Sequence, residues 1–143
     1  MFAVPPNTVA LPDLPAAAHP ARVAVEVARD RSRWAHLLRY DPSERFSALV
    51  ESTEHFEIWL LSWLPGQSSD LHDHDGAEGA FTVVNGELTE RVVKDGSVVV
   101  HTVSAGQSRV FGARYAHQVR NDGIDPAVTI HVYRPHRAMR TIG

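Results

Sequence analysis

A series of short apolar segments of strand type, beginning near residue 44, most constrains the fold of this chain. Examples are FEIWLLSWL at 56–64, GAFTVVNGEL at 79–88 and PAVTIHVY at 126–133. Turn residues separate such segments at intervals of about 8 to 12 residues, which is typical of antiparallel sandwiches and small barrels. We therefore predict an all-β domain built as an antiparallel barrel.

Two dipeptides between these segments, Asn85-Gly86 and Asp95-Gly96, are strong signals for tight turns. Two-residue hairpin turns need positive φ angles, which Asn, Asp and Gly adopt most readily. The sequence therefore predicts a hairpin at each dipeptide.

The first part of the chain differs in composition. Residues 1–20 hold five of the nine prolines, which predicts an extended arm. Residues 21–40 carry apolar side chains mostly at helical spacing, which predicts one helix or two short ones. These side chains are Val23, Val27, Trp34, Leu37 and Leu38. We expect a single domain over residues 21–143, helical over 21–40 and barrel-forming over about 44–135.

The composition excludes several classes of protein. A formal net charge of -3 without a cluster of basic residues argues against nucleic-acid binding. The absence of cysteine excludes disulfides and thiolate metal ligands. No run of about 18 apolar residues is present, so no membrane span is predicted. The first residues also lack the pattern of a secretion signal, so we expect a cytoplasmic protein. We also expect a monomer or a homodimer.

The histidines give the strongest functional signal. His72 and His74 are two residues apart, so on an extended strand both imidazoles point to the same face. Imidazole is the commonest metal ligand in proteins. A third ligand must come from another strand, and His117, at the start of the segment YAHQVRN, is the best candidate. The pattern predicts a metal site with three histidines.

Glycines frame these histidines at fixed spacings. The first frame runs from Gly66 through HDH and Gly79 to Gly86, and the second runs from Gly106 through Gly112 and His117 to Asn121. Both spacings resemble the two motifs of the cupins, which are small β-barrels that hold a metal inside. Within the cupins, the stretches LLSWLPGQSSDLHDH, FTVVNGELTE and PAVTIHVYRP resemble the cysteine dioxygenase family. This resemblance covers roughly residues 34–135.

The resemblance implies roles for individual residues. His72, His74 and His117 match three iron ligands, and Thr129, His131 and Tyr133 match a Ser-His-Tyr relay with Thr in place of Ser. The i, i+2, i+4 spacing of the relay puts its side chains on one strand face. Substrate-binding positions correspond to Arg45, Trp63, Leu61 and Val119. The step Arg134-Pro135 matches a Ser-Pro step and is expected to be cis.

The chain departs from the family pattern at two places. Gly79 occupies the position where mammalian members have a cysteine linked to the tyrosine and many cupins have a glutamate ligand. Glu78 is therefore expected to face away from the metal, unless a bulge shifts the register and brings it in. The family's carboxylate-binding arginine is displaced by about two places to Arg45, which leaves the identity of the substrate open.

The resemblance implies a thiol dioxygenase that uses Fe(II) and O2 to oxidise cysteine, or a close small thiol, to a sulfinic acid. Three imidazoles also suit Ni or Zn, and Mn is a further candidate. Two alternatives remain open at this point. One is a cupin oxygenase or isomerase acting on another small thiol acid, such as 3-mercaptopropionate, or on a specialised metabolite. The other is a non-catalytic cupin that binds a small ligand.

Overall fold

The structure is a computed structural model that describes residues 19–112 and 114–142. Most of the predicted arm, residues 1–18, lies outside the described residues. Within the described part, no helix has the length and apolarity needed to cross a membrane.

The predicted helical region consists of one α-helix and two short 3-10 helices. Helix α1 spans Pro20–Arg29, and the 3-10 helices span Arg31–Arg33 and Ala35–Leu37. His19 caps α1, because its Nδ1 accepts a hydrogen bond from the backbone N–H of Ala21 at 3.0 Å. Pro20 suits the first turn, where a missing N–H costs nothing.

Ten strands follow in the part of the chain that the structure describes, and all of their pairings are antiparallel. One sheet has the order β1-β2-β9-β4-β7 and the other has the order β10-β3-β8-β5-β6. The predicted all-β barrel with a small N-terminal helical segment is confirmed. The strands are β1 Phe46–Ser52, β2 Glu57–Trp63, β3 His72–Asp73, β4 Glu78–Asn85, β5 Glu87–Lys94, β6 Ser97–Ser104, β7 Ser108–Phe111, β8 Ala116–Arg120, β9 Ala127–Arg134 and β10 Arg140–Thr141.

One of the two predicted hairpins forms. Asp95 and Gly96 have φ angles of 51° and 78° and join β5 to β6, in which Lys94 is paired with Ser97. Both positive φ angles are those that a type I′ turn requires.

The hairpin predicted at Asn85-Gly86 is wrong. Strand β4 pairs with β7 and β9, whereas β5 pairs with β6 and β8 in the other sheet. The dipeptide is therefore a corner at which the chain passes between the sheets. Gly86 has a φ of 80°, and a Cβ there would lie 2.7 Å from the carbonyl oxygen of Pro126, so this corner requires glycine.

Strand β9 separates two apolar clusters. Its residues Val128, Ile130 and Val132 pack with Val27 and Trp34, so this side of the sheet lies beneath the helical segment. Because side chains alternate along a strand, the residues between them face the barrel interior. Nearly every residue of β9 is buried, which explains why its sequence is apolar almost throughout.

The interior cluster lies between the two sheets. It includes the predicted pocket residues Leu61, Trp63 and Val119, each about 1% exposed. A tenth strand, β10, lies beyond the expected barrel limit of about 135 and pairs with β3 at Asp73 and His72. The end of the chain therefore packs beside the predicted ligands.

Candidate metal centre

The structure brings His72, His74 and His117 together inside the barrel. His72 is on β3 and is the register partner of His117 on β8, and His74 follows one residue after β3. The ring centroids lie 4.7 to 5.2 Å apart. One nitrogen from each ring lies within 4.8 Å of the others, and all three side chains are buried. Among the described residues, this group contains no carboxylate.

Each of the three rings is held through Nδ1. His72 Nδ1 lies 2.7 Å from the carbonyl oxygen of Asp70, and His74 Nδ1 lies 3.2 Å from that of Ala138. His117 Nδ1 lies 2.7 Å from Oε2 of Glu90. An oxygen acceptor at Nδ1 holds the proton there, so the lone pair is on Nε2.

The surroundings keep two of the ligand candidates, His72 and His74, neutral. Burial lowers the pKa of His72 from 6.5 to about 4, and it lowers the pKa of His74 to about 3. The neighbouring His117 adds to both shifts. A neutral imidazole is the form that binds a metal, so no proton has to leave these two rings at neutral pH.

The support for His117 is a buried acid that the sequence analysis missed. Glu90 on β5 is 0% exposed and also accepts a hydrogen bond from Arg109 at 2.7 Å. Burial raises its pKa, but the hydrogen bonds from His117 and Arg109 outweigh burial and the net pKa is lowered. One sign of this role was present in the sequence. Glu90 lies between Leu88 and Val92 in the inward-facing row of β5, where a charged residue needs a partner.

The support for His74 comes from the end of the chain. The carbonyl oxygen of Ala138 faces His74 Nδ1, and Arg140 on β10 forms an ion pair with the buried carboxylate of Asp73. Burial raises the pKa of Asp73, but hydrogen bonds from Asp75 and Arg140 keep it below its usual value. This segment follows the last apolar strand, so no periodic pattern pointed to it.

Glu78 lies outside the histidine group, as its register implied. It is exposed at the start of β4 and forms an ion pair with Arg134, whose Nε is 3.0 Å from its Oε1. Gly79 faces the interior instead, where a Cβ would lie 2.0 Å from the carbonyl oxygen of Val132 and 2.8 Å from the Phe111 ring. Phe111 stacks on His74 with ring centroids 3.9 Å apart, so an aromatic ring fills the space beside Gly79.

The three residues of the predicted relay lie in a row on the interior side of β9. Trp63 Nε1 donates to Thr129 Oγ1 at 3.0 Å, and Thr129 Oγ1 lies 2.7 Å from His131 Nε2. His131 Nδ1 lies 3.4 Å from the hydroxyl oxygen of Tyr133. Thr129 Oγ1 accepts from Trp63, and we assign its own O–H as the donor to His131 Nε2. His131 then carries its proton on Nδ1, facing the oxygen of Tyr133.

This arrangement leaves the Tyr133 proton available. Burial lowers the pKa of His131 well below 6.5, so its ring is neutral. Burial also raises the pKa of Tyr133, although the charges of Arg137 and Arg45 and a hydrogen bond from Arg137 oppose this shift. A neutral tyrosine that accepts from His131 has its O–H free to donate into the cavity.

A small cavity joins the histidine group to the relay. Its free volume is about 10 Å³, and Arg45, Arg137 and Met139 line it on the more exposed side. The guanidinium carbon of Arg45 lies 4.9 Å from the centroid of the Trp63 ring. Arg137 was missed by the sequence analysis. The remaining lining residues are Leu61, Trp63, Ser69, His72, His74, His117, Val119, His131 and Tyr133.

The site has the donor set of a metal centre. Two ligand atoms at right angles on one metal, with bonds of about 2.1 Å, lie about 3 Å apart, and Nε2 of His74 and Nε2 of His117 are 3.1 Å apart. Three imidazole ligands suit Fe, Ni, Cu and Zn. These residues therefore fit a metal, and their chemistry does not select one.

The peptide bond between Arg134 and Pro135 is cis, as predicted from the resemblance.

Comparisons with solved structures support the fold. The structure of TT1209 from Thermus thermophilus is 27% identical, with a TM-score of 0.64 over 71% of this chain and 93% of that one. An uncharacterized conserved protein with a double-stranded β-helix domain from Klebsiella pneumoniae is 21% identical, with a TM-score of 0.67 over 76% and 93% of the two chains. A recombinant oxalate oxidase, solved in complex with glycolate, is 17% identical, with a TM-score of 0.62 over 71% and 56%.

A comparison with protein families gives a more specific match. The sequence model of cysteine dioxygenase type I matches residues 19–141, which is most of the chain and includes all three histidines, the relay and both arginines at the cavity. This chain therefore belongs to the cysteine dioxygenase type I family.

Proposed function

We propose that this protein is an Fe(II)-dependent thiol dioxygenase that converts a small, carboxylate-bearing thiol to a sulfinic acid. The observation that carries the proposal is that three buried histidines, His131 and Tyr133 of the hydrogen-bonded row, and an arginine all line one cavity. The overall reaction, R–SH + O2 → R–SO2H, places both oxygen atoms on sulfur and needs no further reductant.

In this proposal His72, His74 and His117 hold the metal through Nε2. The bound metal would supply the redox chemistry that allows O2 to react with the thiol sulfur. The absence of a carboxylate from the group leaves the bound ion with its full positive charge, which favours the anionic thiolate over the thiol.

Tyr133 donates its hydroxyl proton as a hydrogen bond to the reacting sulfur or oxygen. His131 and Thr129 act as positioning residues. The N–H of His131 donates to the Tyr133 oxygen, so the Tyr133 O–H remains a donor. The burial of all three side chains keeps water from competing for this proton.

Arg45 binds the carboxylate of the substrate. Its guanidinium group lies against Trp63, which in turn donates a hydrogen bond to Thr129. Trp63 therefore supports both the carboxylate-binding arginine and the relay. A planar guanidinium recognises a carboxylate through two parallel hydrogen bonds. Leu61, Val119 and the Trp63 ring provide the apolar wall against which the carbon chain of the substrate lies.

The test is oxygen uptake by the iron-loaded protein with a panel of thiols that includes cysteine and 3-mercaptopropionate, together with detection of the sulfinic acid. We expect one mole of O2 consumed for each mole of thiol. An absence of uptake with every small thiol, at full iron occupancy, would disprove the proposal. Binding of a thiol without turnover would instead indicate a ligand-binding cupin.

A further inference from the structure

Two guanidinium groups face the cavity, although a single carboxylate needs only one. Arg45 comes from the segment just before β1, and Arg137 comes from the segment after β9. Both side chains are half-buried and lie on the more exposed side of the cavity. They therefore reach the same space from distant parts of the sequence.

Aromatic rings hold both arginines in place. The guanidinium carbon of Arg45 is 4.9 Å from the centroid of the Trp63 ring, and that of Arg137 is 4.6 Å from the centroid of the Trp59 ring. Arg137 also lies 5.8 Å from the centroid of the Tyr133 ring. A guanidinium held over a ring keeps N–H groups that a ligand can use, although one N–H of Arg137 is engaged in a hydrogen bond with Tyr133.

The charges of this arginine pair (Arg45 and Arg137) are not neutralised by direct contact. Within residues 19–112 and 114–142, neither guanidinium forms a salt bridge with a carboxylate, whereas six other arginines do. Asp70 acts on Arg45 only at longer range, and Glu57 accepts from the backbone N–H of Arg137 at 2.9 Å rather than from its side chain.

Arg137 also carries a buried donor without an acceptor. Its Nε is the buried side-chain atom without a hydrogen-bond partner among the described residues. Buried polar atoms are nearly always hydrogen-bonded, so this donor calls for an acceptor, which a bound anion or a water would supply. The two arginines also repel each other: burial lowers the pKa of Arg45, and the charge of Arg137 lowers it further.

We propose that the arginine pair binds two separate acidic groups, so that the preferred substrate is a small thiol with two carboxylates. This inference rests on the proposed thiol dioxygenase function and narrows its substrate class. One carboxylate would be bound by Arg45 and the other by Arg137, and the thiol would face the histidine group. A dianion neutralises both cations and supplies an acceptor for Nε of Arg137, which a monocarboxylate does not do at both places.

The cavity must widen to admit such a ligand. A free volume of about 10 Å³ holds about one water molecule. The residues that would move are the long side chains of Arg45, Arg137 and Met139, because the opposite wall is formed by buried residues of the sheets. Binding of a dianion is therefore expected to order these three side chains.

The first experiment measures binding without the thiol chemistry. Succinate and propionate are titrated by calorimetry against the full chain at a measured metal content. We expect succinate to bind at least about tenfold more tightly than propionate. In Arg137→Gln we expect this preference to fall to within about twofold, with little change for propionate. Arg120→Gln removes an exposed arginine paired with Asp122 and is the matched control, in which the preference is retained.

Equal binding of succinate and propionate by the unmodified chain would overturn the proposal, as would an unchanged preference in Arg137→Gln.

The second experiment compares oxygen uptake with mercaptosuccinate, 3-mercaptopropionate and cysteine, and we expect mercaptosuccinate to have the highest kcat/KM. Uptake with monocarboxylate thiols alone would reject the arginine pair and keep the dioxygenase. A succinate preference without oxidation of any thiol would keep the arginine pair and reject the dioxygenase.

Discussion

Oε2 of Glu90 lies 2.7 Å from Nδ1 of His117, and both side chains are almost completely closed to solvent. A buried carboxylate at Nδ1 fixes the tautomer and the orientation of the imidazole and makes its Nε2 a better electron donor to a metal. The carboxylate is itself held by Arg109, which places its charge where His117 needs it. Glu90 therefore belongs to the support of the candidate metal centre rather than to its ligands.

Glu90→Gln is expected to weaken metal binding by about 10- to 100-fold, because a neutral amide holds the imidazole less firmly. A competitive titration with a chromophoric chelator measures the change. Glu87→Gln is the matched control, since Glu87 lies on the same strand but is exposed. Equal metal affinity in the Glu90 variant and the unmodified protein would remove Glu90 from the metal site.

The features that sequence predicts well here are local in the chain. His72 and His74 share a face because they are two residues apart, and Thr129, His131 and Tyr133 align for the same reason. The positive φ angles at Asp95 and Gly96 follow the backbone preferences of those two residues. Each of these predictions needed no knowledge of which strands are neighbours.

The features that were missed depend on how distant strands meet. Asn85-Gly86 has the composition of a hairpin turn, but the strands on either side of it pair with strands later in the chain, β4 with β9 and β5 with β8, so the chain changes sheets there. Glu90 gained its role from the strand that carries His117, and Arg137 gained its role from the return of the chain end past the cavity. Such contacts follow from tertiary register rather than from periodicity.

His72→Ala is expected to abolish stoichiometric metal binding, since two imidazoles without a carboxylate do not hold a metal tightly at this site. Metal content after dialysis, measured by atomic emission, checks this. His55→Ala, at an exposed position outside the group, is the control. Retention of one metal per chain in His72→Ala would show that the metal is held elsewhere.

Tyr133→Phe is expected to retain the metal and to lower kcat by about 100-fold or more, the usual cost of losing a positioned proton donor. Tyr133 lies outside the histidine group, so metal content should not change. Tyr40→Phe removes the hydroxyl of an exposed tyrosine and should have no effect. If Tyr133→Phe were fully active, the hydroxyl would have no part in the reaction.

Gly79→Ala tests whether the slot beside the tyrosine is closed to side chains. A Cβ there would lie 2.0 Å from a backbone oxygen, which forces β4 and β9 apart, and we expect a loss of about 3 kcal/mol in the free energy of unfolding. Chemical denaturation measures it. Gly112→Ala is the matched control, because its added Cβ meets nothing within 4 Å. Equal stability of the two variants would mean that the slot can accept a side chain.

His131 should make the stability of the protein depend on pH. Burial keeps its native pKa well below 6.5, and the charges of Arg137 and Arg45 add to this shift. As pH falls below 6.5, the unfolded chain takes up a proton at His131 and the native protein does not. This contribution to the free energy of unfolding therefore decreases by about 1.4 kcal/mol per pH unit, and it is fully present only above pH 6.5.

His131→Gln removes this titration and keeps a side chain able to hydrogen-bond with Thr129. Between pH 7.5 and pH 5.5, the unmodified protein is expected to lose about 1.4 kcal/mol more stability than the variant, as measured by urea denaturation at both values. The other buried histidines titrate in both proteins, so their contributions cancel in the comparison. The same loss in both proteins would mean that His131 can be protonated in the folded barrel, and the tautomer assigned to the relay would then be wrong.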